Sequence, residues 1–131
     1  MRADASEAIH VANFRAALRA FQHESESVAR KNGLTPQRYL LLLMVKGAAD
    51  GTGQTTVTEL ADRMKLAQST VTELVKRAES AGLVEREQSD VDARVAHIRL
   101  TAEGERRFGR VFSGLETERQ QLRGAFAELN A

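Results

Sequence analysis

The sequence predicts a mainly α-helical fold carrying one small β-hairpin, and three observations predict it. Apolar residues recur at steps of three and four through most of the chain, the period of amphipathic helices. One stretch departs from that period: Val95, His97 and Arg99 alternate with Ala96, Ile98 and Leu100, the pattern of a strand. Between Val57 and Gly104 the order helix, tight turn, helix, hairpin runs without interruption.

From about Ser6 to Arg30, Val11, Phe14, Leu18, Phe21 and Val28 fall on one helical face, with Arg15, Arg19, Glu24 and Glu26 elsewhere. Asn32-Gly33 ends this first helix. Thr35 then stands at an N-cap position, and Pro36 at the first helical position, where its missing N–H costs nothing. The second helix runs from there through Tyr39 to Val45. It is apolar on nearly every side, so it is expected at the buried centre. Gly47 to Gly53 form a loop. Thr55 to Val57 suit a short strand, and Thr58 suits the cap of a third helix in which Leu60, Ala61 and Met64 share one side.

Leu66 and Ala67 make the turn into a fourth helix, about Gln68 to Ala81, with a narrow stripe of Val71, Leu74, Val75 and Ala78. Gly82 is placed to end it in the left-handed conformation. Ser69, Thr72, Glu73, Lys76 and Ser80 face away from the stripe and are free to meet a partner. Leu83–Glu87 and Val95–Leu100 read as the strands of a hairpin, or wing, with Gln88 to Arg94 as its polar tip. Two short helices at a sharp corner let the second lie in a major groove, while the hairpin behind it reaches the neighbouring backbone or minor groove.

Thr101 caps a long last helix in which Phe108, Leu115, Leu122 and Leu129 recur every seventh residue, with Val111, Phe112 and Phe126 beside them. The seam fits either intrachain core or a helical partner. The first and last helices together show more apolar face than one small winged module covers, which points to burial against a second copy. A homodimer is therefore expected through Val11, Phe14, Leu18, Leu115, Leu122, Phe126 and Leu129.

Composition narrows the function classes. The 131 residues suit one domain: dimerisation helices at about 5–30 and 102–131, and a lobe at about 34–100. Cysteine is absent, which excludes disulfides, thiolate zinc sites and thiol redox switches. No apolar run reaches the roughly 18 residues of a membrane span, and the first residues lack the order of a secretory signal, so a cytoplasmic protein is expected. Nineteen Lys and Arg against 18 Asp and Glu leave a net charge of +1, which argues neither for nor against nucleic acid. His10, His23 and His97 are far apart and lack neighbouring ligands at metal spacing, so no metal is expected. There is no phosphate loop, marked carboxylate pair or nucleophile elbow, hence no expectation of an enzyme or a cofactor.

From Leu34 to about Phe108 the sequence resembles the MarR family of bacterial transcriptional regulators, with flanking helices that match in position and length. The residues carrying the resemblance are LTPQRYLLL from Leu34 to Leu42, the run from Val57 to Arg86, and the wing DAR followed by LTAEG. These last two fit the family's Asp-x-Arg and Leu-Thr-x-x-Gly order. Each piece alone is permissive, and their order and spacing together are specific. The resemblance implies a triangular winged helix-turn-helix dimer whose first and last helices interlock. It further implies recognition helices in successive major grooves of a pseudo-palindromic DNA site.

Carried residue by residue, Ser69, Thr70 and Thr72 match the recognition helix, and Asp92 and Arg94 match the wing motif. With Gln68, Glu73 and Lys76 from the same helix they make the expected DNA-contacting set. Arg94 is the leading member, a guanidinium able to enter a minor groove with Asp92 orienting it. Glu73 stands where the family often has arginine, and Ala93 where a second wing arginine often precedes the one at Arg94. Both differences remove positive charge, although Glu73 also suits a cytosine amino group. Ala67 replaces a small polar cap, which leaves helical N–H groups for a DNA phosphate.

The resemblance also implies a repressor, released by a small apolar or aromatic effector bound between the dimerisation helices and the DNA-reading lobe. Composition suggests a pocket of Phe, Leu, Met and His. Other readings stay open on the residues alone. The polar face of the fourth helix also fits a solvated surface, and Asp92–Arg94 a plain ion pair. The near-neutral charge of the winged module fits a protein-binding surface without sequence-specific DNA binding. A metal-responsive repressor of the same shape is disfavoured by the missing thiols.

Overall fold

The computed structural model of the chain describes residues 1–92 and 94–130. Six helices and a three-stranded antiparallel sheet follow one another as α1 (Ala5–Lys31), α2 (Pro36–Lys46), β1 (Gln54–Thr55), α3 (Val57–Met64), α4 (Gln68–Ser80), β2 (Val84–Gln88), β3 (Ala96–Leu100), α5 (Ala102–Ser113) and α6 (Glu116–Leu129). The strand order is β1-β3-β2, so the short first strand closes the inner edge of the wing, with Thr55 opposite Ile98 and Arg86 also opposite Ile98. Among the described residues no helix is long and apolar enough to cross a membrane.

Local chemistry sets most element ends. Asp4 caps α1 by accepting from the Ser6 amide at 2.9 Å. Thr35 caps α2 by accepting from the Arg38 amide at 3.1 Å, with Pro36 behind it as expected. The cap of α3 is Thr56 and not Thr58: its hydroxyl accepts from the Glu59 amide at 3.2 Å, which starts the helix two residues earlier and shifts β1 back to Gln54–Thr55. Extended backbone at Thr56 and a glutamate three residues on make it the better start, because Thr58 is already inside the first turn. Gly82 ends the turn after α4 at φ +77°, the left-handed geometry expected there.

One core holds these elements together. Tyr39, Leu41, Leu42 and Val45 of α2 are buried among Leu60, Val71, Val75, Ile98, Phe108 and Val111. Leu40 departs from the expectation of an all-buried α2, because it faces a surface cleft. Burying one Leu or Val side chain stabilises by about 1.5–3 kcal/mol, so α2 is the post around which the module is built.

The long last helix is two helices. Gly114 caps α5, Leu115 leaves the helical path at φ −114°, and α6 begins at Glu116. Leu115 turns inward to 1 % exposure and joins the chain's own core, so it is a core residue and leaves the set of expected dimer contacts. The sevenfold seam is thereby split: Phe108 and Leu115 are intrachain core, while Leu122 and Leu129 stay half-exposed on α6. Ala131, the expected end of that helix, lies outside the described residues.

The junction between wing and α5 is a close approach of two backbones. Thr101 accepts from the Gly104 amide at 3.0 Å as N-cap of α5, its hydroxyl donates to the Gly82 carbonyl at 2.6 Å, and its amide donates to Leu83 O at 3.0 Å. Gly104 lies so close to the Leu83 carbonyl that a Cβ there would overlap the oxygen. The glycine of the LTAEG run is thus required by approach of two backbones. Gly104→Ala is expected to cost about 1–3 kcal/mol, read as a lowered urea midpoint. An unchanged midpoint would show that the junction yields without strain.

Candidate nucleic-acid interface

The corner between α3 and α4 is built by Lys65 at φ +55°, a left-handed residue that turns the chain through Leu66 and Ala67. Val71, Val75 and Ala78 then bury one side of α4. On the outer side Ser69, Glu73, Lys76 and Ser80 are exposed, with Gln68 and Thr70 exposed in the first turn and Thr72 half-buried on the flank. The Lys76 ammonium has no ion-pair or hydrogen-bond partner among the described residues. Ala67 gives no side-chain cap, so the opening amides of α4 are unmet by any side chain.

Arg77 joins this face although the sequence reading left it out. It is exposed and approaches Glu73 at 3.7 Å across one helical turn, a loose pair with both side chains more than half in solvent. The helical wheel contained the signal, since Arg77 lies one turn beyond Glu73 on the outer side. Glu73 is therefore partly neutralised by its own helix.

The wing is fixed to α4. Arg86 of β2 donates to Glu79 through Nη2 at 2.9 Å and Nε at 3.4 Å, and the Glu79 hydrogen bond raises the Arg86 guanidinium above its usual range. Arg99 of β3 donates to Glu85 at 2.8 Å and pairs with Glu87 at 2.9 Å. These two wing cations are spent within the fold.

Arg94 is held and still presented. Its Nε donates to Asp92 Oδ1 at 3.1 Å, its Nη2 to Oδ2 at 3.3 Å, and its amide to Oδ1 at 3.0 Å, yet the side chain is 91 % exposed. The expected pairing of Asp92 with Arg94 is present. Ala93 between them lies outside the described residues.

A second feature lies behind this face. A cleft of about 690 Å³ opens between α1, α2 and the α5–α6 junction, walled by Leu18, Phe21, Leu40, Leu43 and Phe112. Its polar lining comes from Tyr39, Arg119, Gln22, Glu26, Gln37 and Ser25. Neither Met nor His lines it, and the chain's one tyrosine does. Tyr39 stacks on Phe108 at 5.8 Å, and burial raises its phenol above the usual value against a smaller opposing pull from Arg119. The Arg119 guanidinium sits 3.7 Å over the Phe112 ring and donates to the Phe112 carbonyl, bridging the break between α5 and α6. Ser25 Oγ is buried with no hydrogen-bond partner.

The outer helices leave apolar surface uncovered. No residue of α6 is fully buried, and Ala29 is the one fully buried residue of α1. Phe14 and Phe126 meet edge to face at 5.9 Å, with Phe126 still 54 % exposed and Val11 and Ile9 exposed nearby. Leu18, Leu122 and Leu129 are half-buried. Among the described residues no group of three or more His, Cys, Asp or Glu is placed to hold a metal ion.

Comparison with known proteins gives a consistent picture. A sequence model of the MarR family matches residues 32–95. The uncharacterized HTH-type transcriptional regulator YsmB of Bacillus subtilis is 33% identical over 122 residues, covering 89% of this chain and 78% of that protein. The HTH-type transcriptional repressor MdtR of the same organism is 31% identical over 102 residues, covering 78% of this chain and 63% of that protein, so the chain spans less than two thirds of that relative. A mutant MarR from E. coli, solved in complex with operator DNA, shares the fold with a TM-score of 0.67 at 19% identity, covering 82% of this chain and 75% of that one.

The arginine hydrogen bond holds the Asp92 carboxyl below its usual range. The pair is therefore complete at neutral pH and is lost only as pH falls through that lowered value. In an NMR titration the Asp92 side-chain carbon is expected to shift below about pH 3.9, the ordinary aspartate value. A midpoint at or above that value would mean that the two groups do not pair in solution.

Proposed function

From the premise that the chain belongs to the MarR family of winged helix-turn-helix regulators, a regulator and not an enzyme, we propose that it acts as a homodimer on a pseudo-palindromic DNA operator. It then serves as a repressor that a small ligand releases. The observation that carries the DNA reading is the joint posture of α4 and the wing. A polar helix face and an exposed, oriented arginine are locked to one another through Arg86–Glu79 and through the Thr101–Leu83 junction.

On this reading α4 enters the major groove with Gln68, Ser69, Thr70 and Thr72 toward base edges and phosphates, and its uncapped amides meet a phosphate. Lys76 supplies charge to the backbone, and Glu73 accepts from a cytosine amino group when Arg77 releases it. Arg94 enters the neighbouring minor groove with its carboxylate partner holding the approach.

The dimer is supported by what α1 and α6 leave uncovered. Val11, Phe14, Leu18, Leu122, Phe126 and Leu129 line these helices, and a two-fold partner would bury them against their own copies. The cleft beside Tyr39 and Arg119 suits an apolar, aromatic effector with one acceptor group for Arg119. Because Arg119 also bridges α5 and α6, a ligand drawing on it favours a different angle between the reading lobe and the dimer helices. By linkage such a ligand and the operator weaken one another.

The engaged state of Arg86 and Arg99 leaves few free cations on the module, which is what favours the rival reading of a protein-binding surface. Selection of bound duplexes from a random pool followed by a salt titration separates the two. DNA binding is expected to fall log-linearly with salt, with a slope of about −0.9 per neutralised phosphate, whereas indifference to every duplex would favour the rival.

Arg94→Ala is expected to weaken binding by about 1–3 kcal/mol per half-site with the dimer intact. Unchanged affinity in an anisotropy titration would remove the wing from the mechanism. Leu122→Asp is expected to yield single chains in light scattering, and a persistent dimer would place the interface elsewhere.

A further inference from the structure

We propose that Val91, at the apex of the wing, is a specificity-determining residue whose isopropyl group selects minor-groove floors that lack the guanine 2-amino group. The inference rests on the wing being a minor-groove probe and adds a second reader to it, of different chemistry from Arg94.

The tip is tied together by its own backbone. The Ser89 amide donates to the Val95 carbonyl at 2.9 Å and the Val95 amide returns a bond to the Asp92 carbonyl at 3.0 Å. Ser89 Oγ accepts from the amides of Val91 at 3.2 Å and Asp92 at 3.3 Å, and the Arg94 amide is taken by Asp92. Those amides are spent inside the turn, so the tip meets a partner through side chains. Two that stand almost wholly in solvent are Arg94, 91 % exposed, and Val91, 97 % exposed.

An apolar group so placed makes no buried contact with the core. It covers no core residue, and among the described residues of the tip its neighbours Asp90, Asp92 and Arg94 are polar, so Val91 stands as a single apolar group and not as part of a larger apolar patch. A minor groove is a fitting receptor for one small hydrocarbon beside one cation. Its walls are deoxyribose, its floor at A·T pairs carries only acceptors, and G·C pairs add a protruding 2-amino donor. Valine has no acceptor for that donor, and its β-branched side chain is too stiff at χ1 to fold aside. Pressing it onto a G·C pair buries the amino group unmet, which selects A·T under the apex.

Arg94 also favours A·T-rich grooves through electrostatic potential, so the experiment has to divide the two. In a duplex recovered by selection, adenines facing the wing are replaced singly by 2,6-diaminopurine, which adds the 2-amino group and keeps the adenine pattern of the major groove. For the unaltered protein, anisotropy is expected to show binding weakened about tenfold at the pair beneath the apex, the cost of one unmet donor. Val91→Ala is expected to reduce this penalty to less than about twofold. Arg94→Ala lowers affinity for both duplexes and keeps the penalty. Since Val91 contacts no core, its variant is expected to melt at the same temperature.

An equal penalty in the unaltered protein and Val91→Ala would overturn the proposal, as would a full-affinity complex with the modified duplex. Failure to bind any duplex would instead overturn the DNA reading, and this inference with it.

Discussion

Everything that this fold orients depends on the contact between Gly104 and the carbonyl of Leu83. Two backbones meet there without a side chain between them, and Thr101 fastens the same spot through Gly82 and Leu83. Leu83 follows the end of α4, Thr101 follows β3, and Gly104 lies in the first turn of α5. One junction therefore fixes the recognition helix, the wing and the start of the path to α6. Any change in the angle of α5 is transmitted to the reading surface through bonds that have little room to slide.

The charge economy follows from that rigidity. A chain with net charge +1 has no strong general attraction for a polyanion. Several cations of the module are engaged at home: Arg86 by Glu79, and Arg99 by Glu85 and Glu87. These exposed pairs contribute little stability one by one, and their effect is on orientation. Arg86–Glu79 ties the wing to α4, Arg99 ties β3 to β2, and Arg94, held by Asp92, is left as the outward cation of the wing. Affinity on this account comes from placement more than from total charge, and weak non-specific binding is the corollary.

Much of this was legible in the sequence where the signal was local. Thr35-Pro36 marked the start of α2, Gly82 the end of α4, and alternation from Val95 to Leu100 the return strand, because caps, left-handed turns and strand periods are written in adjacent residues. The break at Gly114 was not legible. A sevenfold repeat through Phe108, Leu115, Leu122 and Leu129 continues across it, and what bends the chain is the burial of Leu115 in a core formed by distant residues. Thr58 was the expected cap of α3, and Thr56 takes that place because its hydroxyl meets the amide of Glu59 three residues on. The cleft was hidden for another reason. Leu18, Tyr39 and Arg119 come from far-apart segments, and no composition argument could assemble them. The proposed DNA-contacting set follows from the polar face of the fourth helix and from the family resemblance, and the same helical face also carries Arg77, one turn beyond Glu73.

The surface that α1 and α6 leave open is the part of the account with most at stake, since without a second copy the reading heads have no fixed separation. Sedimentation equilibrium of the chain with a selected duplex measures this directly. The predicted result is a complex of two chains on one duplex whose half-sites lie about one helical turn apart, 10–10.5 base pairs. A single chain per duplex, or free chains sedimenting as monomers beside unbound DNA at low salt, would contradict it.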